Sequence, residues 1–251
     1  MRRRALAFLA LFCACNTAGS SRVEPPTRST DSRVCQPAAA CVDLVVAIDT
    51  SPSFTDPIGQ PLVLSFARSK REVGPDSKLW AAIDGLQGAL ADLDSDHVAV
   101  AVTRLDGGRG GSSRVEAGLS NDYPAVGAVL KRMRELDPRD PSCHGCAARA
   151  AVSLLAAGTA AGRCPQLLIL ADTDVTAPFG PESRSKNEND FAQAIFPLSI
   201  ARPTLIALGP IEPDDADRLT QALAIAGGRI VTANDVGAVT SAIVNAVESC
   251  E

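Results

Sequence analysis

The chain has 251 residues, enough for one domain of ordinary size once a targeting segment is set aside. Hydrophobic residues at 46% and charged residues at 21% are globular values and exclude a disordered chain or a multi-span membrane protein. The formal charge of -5, with no basic stripe beyond the N-terminus, argues against a nucleic-acid partner, and aromatic residues at 4% leave an aliphatic, alanine-rich core.

Residues 1–15, MRRRALAFLALFCAC, set three arginines before an apolar run too short to anchor as a bilayer span, the n-region and h-region of an export signal. The run ends at Cys15, and this resembles a bacterial lipoprotein signal, in which the cysteine becomes the acylated N-terminus; Phe12 stands where leucine is usual. Ordinary cleavage near Gly19 is the alternative, and both routes take the protein out of the cytoplasm. The lipoprotein resemblance implies a cell-envelope protein, outer-membrane or periplasm-facing, held to the membrane by its N-terminal lipid only. Loss of the three arginines makes the mature chain more acidic, which suits solubility rather than attraction to a membrane surface. Residues 16–34 hold Ser, Thr, Pro and Arg with almost nothing to bury and read as a flexible tether. The folded domain is expected over residues 35–251.

Short apolar runs then recur with helical stretches between them: LVVAI (44–48), HVAVAV (97–102), QLLILA (166–171), TLIAL (204–208) and RIVTA (229–233). Unbroken apolar runs rather than alternation indicate strands buried on both faces, hence a mostly parallel sheet. Between them, Leu79, Ile83, Leu86 and Leu90 fall at three- and four-residue steps, as do Val126, Val129, Leu130 and Met133, and ADRLTQALAIA repeats the pattern. A last helix starts from an Asn234 or Asp235 cap and runs almost to the C-terminus. The Gly-rich stretch LDGGRGGSSRVEAGL breaks the rhythm and reads as a hairpin leading to a short antiparallel edge strand. It is no phosphate loop, since no Lys-Ser/Thr follows and no helix opens directly after it. The fold class is α/β: an open, mostly parallel doubly wound sheet with one antiparallel edge strand and helices on both faces.

The first strand ends abruptly in oxygen, with Asp49, Ser51 and Ser53 at every second position and no cation beside them in sequence. The DTSPS stretch fits the D-x-S-x-S signature of von Willebrand factor A (vWA) domains, and the element order of residues 42–249 resembles that family throughout. The resemblance implies a metal-ion-dependent adhesion site drawn from three loops. In LLILADTD, Asp172 takes the place of the third-loop aspartate, with Ala171 and Thr173 replacing its usual neighbours. In SCHGCAARAAV, Ser142 takes the place of the second-loop threonine and Gly145 that of its glycine. The implied ligand set is Asp49, Ser51, Ser53, Ser142 and Asp172. Oxygen ligands suit a hard cation, Mg²⁺ first, with Mn²⁺ or Ca²⁺ as alternatives. Two carboxylates without a metal repel and raise each other's pKa, and a divalent ion removes that penalty. In the family, an acidic side chain of a partner protein fills the open coordination position. The competing reading of the loop has Ser51 and Ser53 capping the next segment while Asp49 accepts only backbone N–H groups. An insertion over residues 54–77 and a long loop over residues 173–189 lie beside this place, where they can cover the site or shape its specificity.

With Cys13 and Cys15 assigned to the signal and lipid site, six cysteines remain in an exported chain, an even set that implies disulfides. In a fold of this kind Cys41, Cys164 and Cys250 share the lower face of the sheet. Cys143 is then expected to pair with Cys146, and Cys35, Cys41, Cys164 and Cys250 among themselves in an open register. The CHGC run also raises a thiol–disulfide exchange enzyme, since a C-x-x-C at a helix start has a depressed thiolate pKa. Such an enzyme places the pair directly after a buried strand, whereas here a helix and a polar loop precede it. A zinc site at Cys143, His144 and Cys146 lacks a fourth ligand, and haem attachment fails at Ala147. No G-x-S-x-G is present, and His97 opens an apolar strand and reads as structural. The functional expectation is a non-enzymatic, metal-dependent protein-binding domain, with the exchange enzyme or a metal-free structural module as alternatives.

Overall fold

The computed structural model describes residues 41–60, 73–105, 113–138, 142–160, 162–172, 191, 193–194, 196–198 and 201–250. The export signal, the tether, Cys15 and Cys35 lie outside the described residues, as do the middle of the 54–77 insertion and the 173–189 loop.

The elements follow in the order β1 (Val42–Ile48), α1 (Lys78–Asp92), β2 (Val98–Arg104), β3 (Val115–Ser120), α2 (Tyr123–Met133), α3 (His144–Ala160), β4 (Cys164–Ala171), β5 (Thr204–Leu208), α4 (Pro213–Ala224), β6 (Arg229–Ala233) and α5 (Val236–Glu248). The strands form one sheet in the order β3-β2-β1-β4-β5-β6. All neighbours are parallel except β2 and β3, whose antiparallel pairing carries register shifts around Val102. The antiparallel edge read from the glycine-rich hairpin is therefore present.

Pleating divides the apolar runs between two faces. Leu44, Val46 and Ile48 pack with residues of α1, α2 and α5, whereas Val45 and Ala47 pack with α3, α4 and Phe191. This two-sided burial is why the strand sequences show no polar alternation. Small residues set the helix spacing on the first face. A Cβ at Gly88 would stand 2.7 Å from Thr240 Oγ1, and one at Gly85 would run into the Val239 side chain, so glycine at these positions lets α1 lie close against α5. The last helix is capped by Asp235, which accepts the Ala238 N–H.

Two cross-links follow the expected layout. Cys143 is bonded to Cys146 with Cα atoms 5.2 Å apart, and Cys164 to Cys250 with Cα atoms 6.1 Å apart. The second joins the start of β4 to the residues just after α5, across 86 residues of chain. Cys41 is also disulfide-bonded. At this lower end Arg163 donates from Nε to Asp43 Oδ1 at 2.5 Å and from Nη2 to the Val42 carbonyl at 3.0 Å. His97 departs from the sequence reading: β2 begins one residue later, and His97 sits in the preceding turn, its Nδ1 2.6 Å from Asp94 Oδ2. Among the described residues no helix is long and apolar enough to cross a membrane.

Candidate metal centre

The chain winds outward from β1 through β2 to β3, then returns to lay β4 on the other side of β1. The order of strands thus reverses between β1 and β4, and a crevice opens beyond their carboxyl ends, where open α/β sheets place their ligands. Asp49 follows the last residue of β1 and Asp172 the last residue of β4. Their strands run in register, Ile48 beside Leu170, and the Asp49 N–H donates to the Leu170 carbonyl at 2.9 Å. Two carboxylates are therefore delivered side by side by backbone pairing alone.

The third loop arrives through a relay. Leu105, just past β2, donates its N–H to the Ile48 carbonyl at 2.8 Å, and its own carbonyl accepts the Cys143 N–H. This holds the segment before α3 at the same rim, and Ser142 Oγ donates to Asp49 Oδ2 at 2.8 Å. Asp49 Oδ1 accepts the Ser51 N–H at 2.7 Å, and the Ser51 and Ser53 hydroxyls stand 2.9 Å apart. The capping alternative is not what the loop does. Ser51 precedes a short 3-10 turn, Pro52–Thr55, without making a side-chain cap, and Asp49 accepts a hydroxyl as well as an N–H. All five residues named from the sequence are thus at one rim, and all but Ser53 are almost fully buried.

Burial of this charge is the notable electrostatic feature. Desolvation first, and then the charge of Asp172, push the Asp49 carboxyl up to about 7, against the lowering effect of the Ser51 N–H and of the Ser142 and Ser51 hydroxyls. Asp172 is raised as well, mainly by burial, with Lys78 and the Ser53 hydroxyl pulling the other way. Asp172 Oδ1 and Thr50 Oγ1 are buried without a hydrogen-bond partner among the described residues. An orphaned carboxylate oxygen in a buried cluster is costly unless something electropositive meets it.

One member of the cluster escapes the sequence reading. Lys78 opens α1, is 1% exposed, and places Nζ 3.0 Å from Asp172 Oδ2, a contact across 94 residues of chain. The insertion brings it there. Its two ends are pinned by a Pro57–Ser77 bridge and by the Ile58 N–H on the Asp76 carbonyl, and the Lys78 N–H donates to the Asp56 carbonyl. Ser77 then caps α1 by accepting the Trp80 N–H. A signal was available: a lysine is unfavourable in the first turn of a helix, and Lys78 stands four residues before buried Ala82, on the apolar stripe.

The Cys143–Cys146 pair starts α3 as a disulfide, with Cys146 buried. His144 between them is buried edge-on against Phe191 at 5.5 Å, and desolvation lowers its pKa to about 4. Both ring nitrogens lack partners among the described residues. With the two sulfurs bonded to each other, no thiolate is left for zinc. Among the described residues no group of three or more His, Cys, Asp or Glu is placed to hold a metal ion. What converges instead is two carboxylates and three hydroxyls with the Lys78 ammonium beside them, and the oxygen donors are of the kind a hard divalent cation takes.

No family profile matches the chain, and no curated protein matches it either. Solved structures do. The conserved hypothetical protein BatB of Bacteroides thetaiotaomicron is 14% identical with a TM-score of 0.57, over 83% of this chain and 98% of that one. The PilB minor pilin of Streptococcus sanguinis is 12% identical with a TM-score of 0.62, over 86% of this chain and 63% of the pilin, so the pilin is considerably longer. A von Willebrand factor type A protein of Catenulispora acidiphila is 16% identical with a TM-score of 0.55, over 84% of this chain and 42% of that one. The chain has a vWA-like fold, the α/β architecture read from its sequence.

Proposed function

We propose that this is an exported, non-enzymatic vWA-like module that binds a partner protein through a divalent cation held by Asp49, Ser51, Ser53, Ser142 and Asp172. The observation that carries this reading is the pairing of two buried carboxylates at the strand-order reversal, one with an oxygen that has no hydrogen-bond partner among the described residues. Mg²⁺ suits the set best, with Mn²⁺ or Ca²⁺ as substitutes. When bound, the ion supplies an open coordination position for a carboxylate of the partner. The five residues hold and orient it, and the hydroxyls keep the set low in negative charge. Calorimetry on EDTA-stripped protein tests this directly: one Mg²⁺ or Mn²⁺ is expected per chain, lost in Asp49→Ala, and binding unaffected by that substitution refutes it. The N-terminal signal, with Cys15 as acylation site, would place the module in a bacterial cell envelope. Incorporation of labelled palmitate into wild type but not Cys15→Ala checks that assignment.

A second reading, a module that keeps the fold without the metal, is favoured by one observation: Lys78 already neutralises Asp172. Thiol–disulfide exchange rests on the Cys143–Cys146 pair alone, which follows a polar loop rather than a buried strand.

A further inference from the structure

The Lys78 ammonium is an unusual occupant of a site built for a metal. It is a single positive charge, almost fully buried, at 3.0 Å from one oxygen of Asp172, while the other oxygen of the same carboxylate has no partner among the described residues. Its position is built rather than incidental. The pinned ends of the insertion, the Lys78 N–H on the Asp56 carbonyl and the Ser77 cap fix the first turn of α1 beside the rim. A buried ammonium needs a paired charge, and a buried carboxylate beside a second one needs a cation. Lys78 and Asp172 satisfy each other, and a divalent ion ligated by Asp172 would meet that ammonium as a like charge at close range.

We infer that Lys78 is a built-in competitor for the divalent ion: it holds Asp172 in the metal-free protein and must release it for the ion to load. This rests on the metal-binding reading above. The site then has two states, an internal ion pair and a metal complex, both free of an uncompensated Asp172. The apparent affinity for metal is reduced by the fraction of molecules in which Asp172 is free, so a pair closed in about nine of ten molecules weakens loading about tenfold. The consequence is a module that keeps a folded rim when metal is scarce and opens for a carboxylate partner only above a threshold of divalent ion.

The test compares wild type, Lys78→Met, Lys78→Gln and Lys78→Arg by calorimetric titration of the EDTA-stripped full-length proteins with Mn²⁺. Both neutral variants are expected to bind about tenfold tighter than wild type, and Lys78→Arg close to wild type. Metal binding by Lys78→Met where wild type shows none supports the inference in its strongest form. Equal or weaker binding by the neutral variants overturns it while leaving the metal site standing. Absence of binding in every protein overturns the metal site and the competition together. Should the neutral variants fail to fold, wild type decides. Acylation of Lys78 by acetic anhydride, read by peptide mass spectrometry, is expected to accelerate several-fold with Mg²⁺ in wild type and not in Asp49→Ala. An unchanged rate in wild type overturns the competition.

Discussion

The two ends of the β1–β4 pair carry opposite electrostatic solutions. At the start of these strands Asp43 meets Arg163, so one acid and one base neutralise each other across the register, and a disulfide lies alongside. At their carboxyl ends the same two strands deliver Asp49 and Asp172, two acids, and the compensating charge comes from a distant helix. Each end has a carboxylate oxygen without a partner among the described residues, Asp43 Oδ2 below and Asp172 Oδ1 above, so an orphan atom alone does not distinguish the two ends. The second carboxylate and the three serine hydroxyls do. The lower end is a clamp, in which one guanidinium closes on one carboxylate. The upper end sets two carboxyl groups against one ammonium, an imbalance that the proposed cation would offset.

This contrast can be broken from either side. The largest effect is expected at the clamp: Arg163→Leu strands the buried Asp43 carboxylate and should destabilise the protein by about 3–5 kcal/mol in urea unfolding. The paired substitution Cys164→Ser with Cys250→Ser opens an 86-residue loop and should cost about 2–4 kcal/mol by the same measurement. Neither change should alter metal binding once the protein is folded.

At the upper end the sign reverses. Burial and Asp172 hold the Asp49 carboxyl at about 7 against an ordinary 3.8, so in metal-free protein its stabilising contribution is full below about 4 and lost as pH rises through 7. Asp49→Asn removes that loss. It keeps an oxygen for the Ser51 N–H and lets the Ser142 hydroxyl turn to accept from the amide. With EDTA present it should be more stable than wild type by about 1–3 kcal/mol at pH 8, with the difference shrinking toward pH 4. A variant less stable than wild type at pH 8 would show that the upper end is no more strained than the clamp.

Much of this was legible in the chain because strand burial and helix periodicity are local signals. The five apolar runs lie in five of the six strands, and the edge strand followed from a run of glycines. Alternation singled out Asp49, Ser51 and Ser53, and the resemblance to vWA domains pointed to Asp172 and Ser142, which the structure brings to the same rim. Lys78 did not, for a physical reason: its partner lies 94 residues away, and the contact depends on a helix start that an insertion repositions. Sequence also left the cysteine register open, since Cys164 and Cys250 meet only when the strand start and the last helix share a face. β2 starts at Val98 rather than His97, whose side chain turns back to Asp94 while its carbonyl still accepts the Val42 N–H.

The most direct measurement is a crystal structure grown with Mn²⁺ and read by anomalous scattering. One strong peak is expected, bounded by Asp49, Ser51, Ser53, Ser142 and Asp172, with Lys78 Nζ moved off Asp172. No peak at that rim, with the Lys78–Asp172 ion pair intact at saturating Mn²⁺, would contradict the proposed metal site.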